Sequence, residues 1–346
     1  MDGSVSVDTR RSALRALSLT LQDWTGEWFP GPGRTVWLDA MIRIWKGYVG
    51  TQLWPQGIFD LADPEVLGGR QVRLQGVDKA ARALGREEGG FLNPIELPKG
   101  LNLRTALETL AAHPTWGETR LNFYQTDKVL PYTIKCEATD SPWERAVEIA
   151  NLPGNFRPLY YDENGYLVWA PDPDPNLLAP VWDVWPDDGT SRPGTALPGE
   201  FSFLVSASKR IDTSEFRNYV EVVGASVHSV PVRAVAMDND PNSPTAVSRI
   251  GYRIFRWNGG RPDRLITTVE EAQARADYEL RQRLRWQERI PLTLTELPVL
   301  QPWDVLRLRI PDCDVSDTYQ VVSFTMPLGP TPEMPVEVWR VRKVVG

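Results

Sequence analysis

Alternation of apolar and polar side chains governs the first eighty residues of this chain. Gly3-Ser-Val-Ser-Val-Asp8, Leu17-Ser-Leu-Thr-Leu21, Met41-Ile-Arg-Ile-Trp-Lys46, Gly57-Ile-Phe-Asp-Leu61 and Gln71-Val-Arg-Leu-Gln-Gly-Val-Asp-Lys-Ala80 all carry it. Successive side chains of a strand point to opposite faces, so a period of two marks strands with one buried face. The loop Gly26-Glu-Trp-Phe-Pro-Gly-Pro-Gly33 interrupts the series. Four or more strands at this spacing predict a small β-barrel or sandwich over residues 1–84.

The pattern changes after residue 84. Residues 85–100 combine charge, glycine and proline and read as a boundary. Asn102 is placed to cap a helix whose Leu103, Ala106, Leu107, Leu110 and Ala111 form one apolar stripe, stopped by Pro114. Ser141-Pro-Trp-Glu144 is a capping box with proline at the first helical position. The helix it opens turns Trp143, Ala146, Val147 and Ala150 inward and ends at Pro153-Gly154. Leu159-Tyr-Tyr-Asp-Glu-Asn-Gly-Tyr-Leu-Val-Trp169 sets Asn164-Gly165 between two aromatic strands, a hairpin signature. Residues 171–200, running through Asp187-Asp188-Gly189, are acidic and proline-rich and read as an extended loop.

Strand patterns return in the last third. Asn218-Tyr-Val-Glu-Val-Val-Gly224 and the stretch Ser248 to Trp257 read as strands, separated by the polar loop Asp238 to Pro244. Thr267-Thr-Val-Glu-Glu271 opens a helix over residues 267–286. Val269, Ala272, Ala276, Leu280 and Leu284 take one face of it, and Arg275, Arg281, Arg283 and Arg285 take the others. Four strands follow, at 291–297, 304–310, 318–326 and 336–345. The expected fold is α+β, mainly β, in three parts. Residues 1–84 are a β unit, 85–200 an α/β unit with a hairpin and an acidic proline-rich loop, and 201–346 a β unit with one long helix.

The residues exclude more chemistry than they suggest. A net charge of −7 argues against a general nucleic-acid binder, which needs a basic face for phosphates. Cys136 and Cys313 are far apart and are expected to be free thiols. His113 and His228 are too few for a histidine metal site or triad. No apolar run reaches the length of a membrane span and no leader opens the chain, so cytosolic synthesis without stable membrane insertion is expected. The 14 tryptophans are scattered along the chain and read as core and interface anchors, with sugar stacking as the alternative.

The acidic candidates point the same way. Asp238-Asn-Asp-Pro-Asn supplies oxygens but lacks the glycine and closing glutamate of an EF-hand, so it reads as a solvated turn. Asp172 and Asp174 alternate with prolines, and Asp312, Asp314 and Asp317 line a strand connection. Glu87-Glu88 and Glu270-Glu271 fit a solvated loop and a first helical turn. The helix arginines read as a solvated or inter-subunit face. Phosphate loop, zinc spacing and nucleophile elbow are all missing from the sequence. No catalytic, cofactor-binding or metal residue is assigned, no cofactor is expected, and the chain is expected not to be an enzyme. A carbohydrate-binding or glycan-degrading β-protein is the alternative, since two glycosidase carboxylates need not be close in sequence.

The ordered opening segments, with Arg10-Arg11 between the first two, resemble the N-terminal barrel of the phage tail hub family, found at the tip of long-tailed phages. The order continues through Asp162-Glu-Asn-Gly-Tyr-Leu-Val168, Asn218 to Gly224, and Asp238 to Pro244. It goes on through Ile266-Thr-Thr with Glu271, Ala276, Leu280 and Leu284, then Leu300-Gln-Pro-Trp-Asp-Val305, Tyr319-Gln-Val-Val-Ser323 and Pro327-Leu328. Trp303 departs from the family, which usually has a small residue in that turn. The resemblance implies two small β-barrel-like domains, 1–84 and 201–346, with the α/β insertion 85–200 between them. It also implies similarity to the central hub of contractile baseplates.

Functionally, the resemblance implies a structural tail-tip hub and a role in DNA ejection. A homotrimer would present six barrels, joining the six-fold tail tube to a three-fold tip and enclosing the channel for DNA and tape measure. The implied partners are the distal tail or tail tube protein, the tape measure C-terminus, and downstream tip, fibre or receptor-binding proteins, with DNA only in transit. The implied location is the tail tip of the virion, after assembly in the host cytoplasm. The chain stops soon after its last strand, so fibre or lysin parts are expected on separate polypeptides. A channel lined by acidic and neutral polar groups is expected, with 171–188 and 238–240 contributing and the helix arginines turned away.

Overall fold

The two strand-rich ends of the chain meet in one sheet. A computed structural model describes residues 2–38, 40–48, 50, 52–84, 90–152, 156–186, 204–211, 216–227, 230–264, 266–285, 288–329 and 333–340. The first part holds β1 (Asp2–Asp8), β2 (Arg15–Gln22), β3 (Met41–Lys46), β4 (Trp54–Leu67) and β5 (Gln71–Asp78). The middle part holds α1 (Ala80–Leu84), β6 (Ile95–Leu97), α2 (Leu103–Ala111), β7 (Leu121–Phe123), β8 (Ile134–Cys136), α3 (Pro142–Ala150), β9 (Tyr160–Tyr161), β10 (Leu167–Trp169) and β11 (Trp182–Val184). The last part opens with β12 (Leu204–Ala207), β13 (Arg210–Ile211), β14 (Tyr219–Val227), β15 (Val230–Met237), α4 (Val247–Ile250), β16 (Ile254–Arg256) and α5 (Val269–Arg285). It closes with β17 (Glu288–Thr295), β18 (Val305–Ile310), β19 (Val315–Pro327) and β20 (Glu333–Arg340).

Among the described residues, twelve strands form a curled sheet of order β12-β17-β20-β19-β1-β2-β5-β4-β3, with β11, β13 and β18 paired off this path. The fold is α+β and mainly β, as the sequence predicts. β1 is the seam. It pairs antiparallel with β2 on one side and β19 on the other, so Ser6 stands opposite both Ala16 and Thr325. Val5, Leu17, Phe59 and Leu74 from the first part share one core with Ile290, Leu306, Val321 and Val338 from the last. Alternation supplies those residues: the burial of β5 reads exposed, buried, exposed, buried along Gln71–Leu74.

Two further cores sit beside the sheet. In one, α2 and α3 pack with β6 to β10 around Leu107, Leu110, Trp143 and Trp169. The caps are those expected: Asn102 accepts the Arg104 and Thr105 N–H groups, and Ser141 accepts that of Glu144. In the other, α5 lays Ala272, Ala276, Leu280 and Leu284 against Val220, Val222, Ala234 and Ala236 of β14 and β15. Its capping box is reciprocal. Thr268 Oγ1 accepts the Glu271 N–H at 3.2 Å, and the Glu271 carboxylate accepts the Thr268 N–H at 3.2 Å.

Three local expectations change. Val247–Ile250 form a helical turn, leaving only Ile254–Arg256 as a strand. Asn218 accounts for this, since its amide donates to the Thr245 and Gly251 carbonyls and holds the chain in a turn. The acidic stretch is not one long loop: Pro175–Leu177 are a short 3-10 turn and β11 pairs parallel with β18. Three residues are too few for periodicity to reveal that strand, but Val184 is buried in the main core. The arginines of α5 do not form a uniformly solvated face. Arg275 is buried, bonded to the Asn151 carbonyl and stacked on Trp257, and Arg283 lies over Phe255. Glu87-Glu88, Pro153-Gly154, Asp187-Asp188-Gly189 and His228 lie outside the described residues.

Candidate assembly surface

Core residues occupy one side of the curled sheet, so their alternate neighbours occupy the other. Along one row those neighbours are short and uncharged, while Arg73, Arg289, Arg307, Glu333 and Glu337 alternate with core residues elsewhere on the same side. Ser206 stands opposite Thr293, Thr293 opposite Pro335, Thr325 opposite Ser6, and Ser6 opposite Ala16. The adjacent row places Ser4 opposite Ser18 and Ser18 opposite Gln75. All of these side chains are half-buried or exposed. A depression of about 490 Å³ lies over Ser6, Ser206, Thr293, Ser323 and Thr325. Charges stand at its margins and are paired, Glu337 with Arg10 at 3.1 Å and Asp8 with Arg10 at 2.8 Å.

β3 and β12 end this sheet. An edge strand presents backbone donors and acceptors to any chain that can pair with it. β3 also exposes apolar side chains, Met41 and Trp45, with Tyr48 and Leu53 just beyond. The Arg43 guanidinium lies 4.4 Å from the Trp45 ring. A groove of about 1,130 Å³ runs from this end of the sheet across β4, β5 and β2, lined by Trp37, Leu38, Leu61, Pro64 and Leu84 and reaching Ala16, Ser18 and Gln75 of the adjacent row. Single exposed apolar residues are ordinary, but a run of them at a sheet edge beside an apolar groove marks a contact surface.

Buried charges tie the three parts together. Arg15 on β2 is 1% exposed. Its guanidinium donates to the Gln56 carbonyl at 3.1 Å and to Gln301 Oε1 at 3.0 Å, and lies 3.8 Å from Glu163. Its N–H donates to Asp78 Oδ2 at 2.9 Å. Burial pushes the Asp78 carboxyl up to about 6, against the opposing pull of the Arg15 and Ala80 N–H groups. Burial likewise raises Asp304 to about 6, although the Gln301 N–H bonds to it. In the middle part, Trp116 Nε1 donates to the Tyr161 hydroxyl at 2.9 Å, which donates to Glu118 at 2.9 Å. Lys79 pairs with Glu118 and donates to the Gly165 carbonyl. Burial and the Glu118 charge hold the Tyr161 phenol far above its ordinary value. These groups serve one another and fix the junctions.

The acidic candidates from the sequence are separate and internally satisfied. Asp238 Oδ2 accepts from the Ser243 and Thr245 hydroxyls at 2.6 and 2.5 Å. Asp240 accepts the Asn242 N–H, Asp172 pairs with Arg157 at 3.3 Å, and Asp174 caps the 3-10 turn at Asn176. Asp317 pairs with Arg340 at 2.5 Å, and Asp314 lies 3.8 Å from Lys209. Among the described residues, no group of three or more His, Cys, Asp or Glu is arranged to hold a metal ion. Cys136 and Cys313 are free thiols, and burial pushes Cys136 up to about 11. The hydroxyl face escaped sequence reasoning, which counted the apolar half of each alternation. The signal lay in the other half, as in Ser-Val-Ser-Val and Leu-Thr-Leu-Thr.

No family model and no curated protein matches the chain in sequence. Solved structures match its fold. The tail protein from Neisseria meningitidis MC58 has a TM-score of 0.65 at 15% identity, over 98% of this chain and 91% of its own. The 43 kDa tail protein of prophage MuSo2 from Shewanella oneidensis has a TM-score of 0.62 at 13% identity, over 98% and 94%. An E. coli component of the type VI secretion system, itself similar to the T4 bacteriophage tail proteins gp27 and gp5, has a TM-score of 0.53 at 8% identity, over 100% and 74%. The chain therefore has the fold of these phage tail proteins and of that secretion-system component.

Proposed function

We propose that the chain is a structural, non-enzymatic hub at the tail tip of a long-tailed phage. In this reading three copies close into a ring that joins a six-fold tube to a three-fold tip. The observation that carries it is the fold, shared along nearly its whole length with tail proteins, in a sheet whose main path ends in two unlike edges and carries one solvated row of hydroxyl side chains. Unlike edges favour heterologous contacts, which close into rings when the rotation per copy allows it. The apolar groove and the Trp45 edge supply the surface such a contact needs.

The hydroxyl face then turns toward the channel, replacing the acidic 171–188 and 238–240 segments as the expected lining. Asp172, Asp174 and Asp238 spend their oxygens on neighbouring groups. The proposed barrel domains remain 1–84 and 201–346, with 85–200 inserted between them. The proposed partners are the tail tube protein, the tape measure C-terminus and the downstream tip, fibre or receptor-binding proteins. A tail reconstruction tests the reading: three copies at the tip support it, whereas six, one or none overturn it.

A further inference from the structure

A cleft of about 530 Å³ opens between β19, α5 and the chain around Pro158 and Asp172. Trp303 and Trp339 form walls of it, and Asp172, Glu279, Gln320 and Arg10 reach into it. Trp303 holds φ at 67°, a left-handed conformation. For a residue with a Cβ that conformation is strained, and glycine avoids the strain. The strain sets an indole in the cleft against Tyr160, ring centres 4.7 Å apart, with the Arg157 guanidinium 4.8 Å away.

The charges in the cleft are paired. Asp172 meets Arg157 at 3.3 Å, Glu279 meets Arg275 at 3.5 Å as well as Arg283, and Arg10 meets Glu337 at 3.1 Å. Such a site has little use for a charged ligand. It does offer indole surface beside fixed carboxylate, amide and guanidinium groups. A pyranose ring matches both halves: its C–H face packs on an aromatic ring, while its hydroxyls donate to carboxylates and accept from guanidinium or amide. The volume falls within the roughly 300–1,000 Å³ of small-molecule sites. We propose that this cleft binds one neutral saccharide unit, with Trp303 as its platform.

The test is a titration of the full-length chain with glucose, galactose, N-acetylglucosamine and N-acetylgalactosamine, read by calorimetry and tryptophan fluorescence. Saturable binding of at least one sugar is expected, and Trp303→Gly should weaken it at least about tenfold. Glycine fits the left-handed backbone, but Trp303 also packs against the main core, so the thermal midpoint of that variant should fall. Should Trp303→Gly fail to fold, Asp172→Asn gives the same reading of affinity. Absence of binding to all four sugars overturns the proposal, as does binding untouched by the substitutions. Neither outcome bears on copy number at the tail tip, so this proposal and the hub reading fail separately.

Discussion

Gly165 at the tip of the β9–β10 hairpin rests directly on Ile58 of β4: a Cβ built on the glycine would lie 2.6 Å from Ile58 Cδ1. Gly165 also holds φ at 76°. Its carbonyl accepts from Lys79 at 3.3 Å, and Asn164 Oδ1 accepts from Arg43 at 3.1 Å. The tip thus bolts the middle part to the first. Gly165→Ala combines a left-handed penalty with overpacking and should cost about 2–4 kcal/mol. Ile58→Ala in the same chain should recover part of that loss. Urea unfolding measures both, and an unchanged midpoint in Gly165→Ala would show that the tip is not docked.

Asp78 and Asp304 set a pH dependence. Their folded values near 6 lie above the ordinary aspartate value of 3.8, so the folded chain keeps these protons longer than the unfolded chain. Stability from these groups is therefore greatest below about pH 4 and falls as pH rises toward 6. Asp78, 1% exposed, should contribute a fall on the order of 2–3 kcal/mol. Asp78→Asn should flatten the profile across that window. A variant profile parallel to that of the parent would contradict the assignment.

Leu280 is 2% exposed on the buried face of α5. Leu280→Ala should destabilise by about 2–5 kcal/mol, the range for truncating a buried leucine. A thermal midpoint equal to the parent's would place that face in solvent.

Trp45 is 46% exposed on the edge strand β3. Trp45→Glu should leave the unfolding free energy of the isolated chain within about 0.5 kcal/mol of the parent, as for other surface changes. In complementation of a hub-deficient phage it should sharply reduce complete tails. Normal tail yield would remove β3 from the contact surface.

Local signals in this chain were legible because each rested on few residues. Ser141, Asn102 and Asn164-Gly165 act within one turn of chain, and cap or bend where their spacing says. The three-residue β11 was not legible, because its partner β18 lies over a hundred residues away and only tertiary pairing makes it a strand. Arg275 and Arg283 misled for a related reason. Periodicity separates apolar from charged positions, but it cannot foresee Trp257 and Phe255 arriving to cover a guanidinium. The seam between β1 and β19, which joins the two ends into one sheet, is likewise a pairing across most of the chain.

The hydroxyl face makes the sharpest demand on the hub reading. Ser6, Ser206, Thr293 and Thr325 line one depression, and its nearby cation, Arg11, is paired with Asp8 at 3.6 Å. A polyanion moving past such a surface meets hydrogen-bonding groups but releases no counterions, so it gains little by stopping. An arginine there would change that, since each phosphate contact adds salt-dependent affinity. Ser6→Arg and Thr325→Arg together should slow DNA ejection from assembled particles, with the delay shrinking as salt is raised from about 50 to 200 mM. Ser6→Gln with Thr325→Gln controls for bulk and should eject at near the parent rate. Arginine particles that assemble normally and eject as fast as the parent would place this face away from the channel. Equal delay in both variants would assign the effect to size instead of charge.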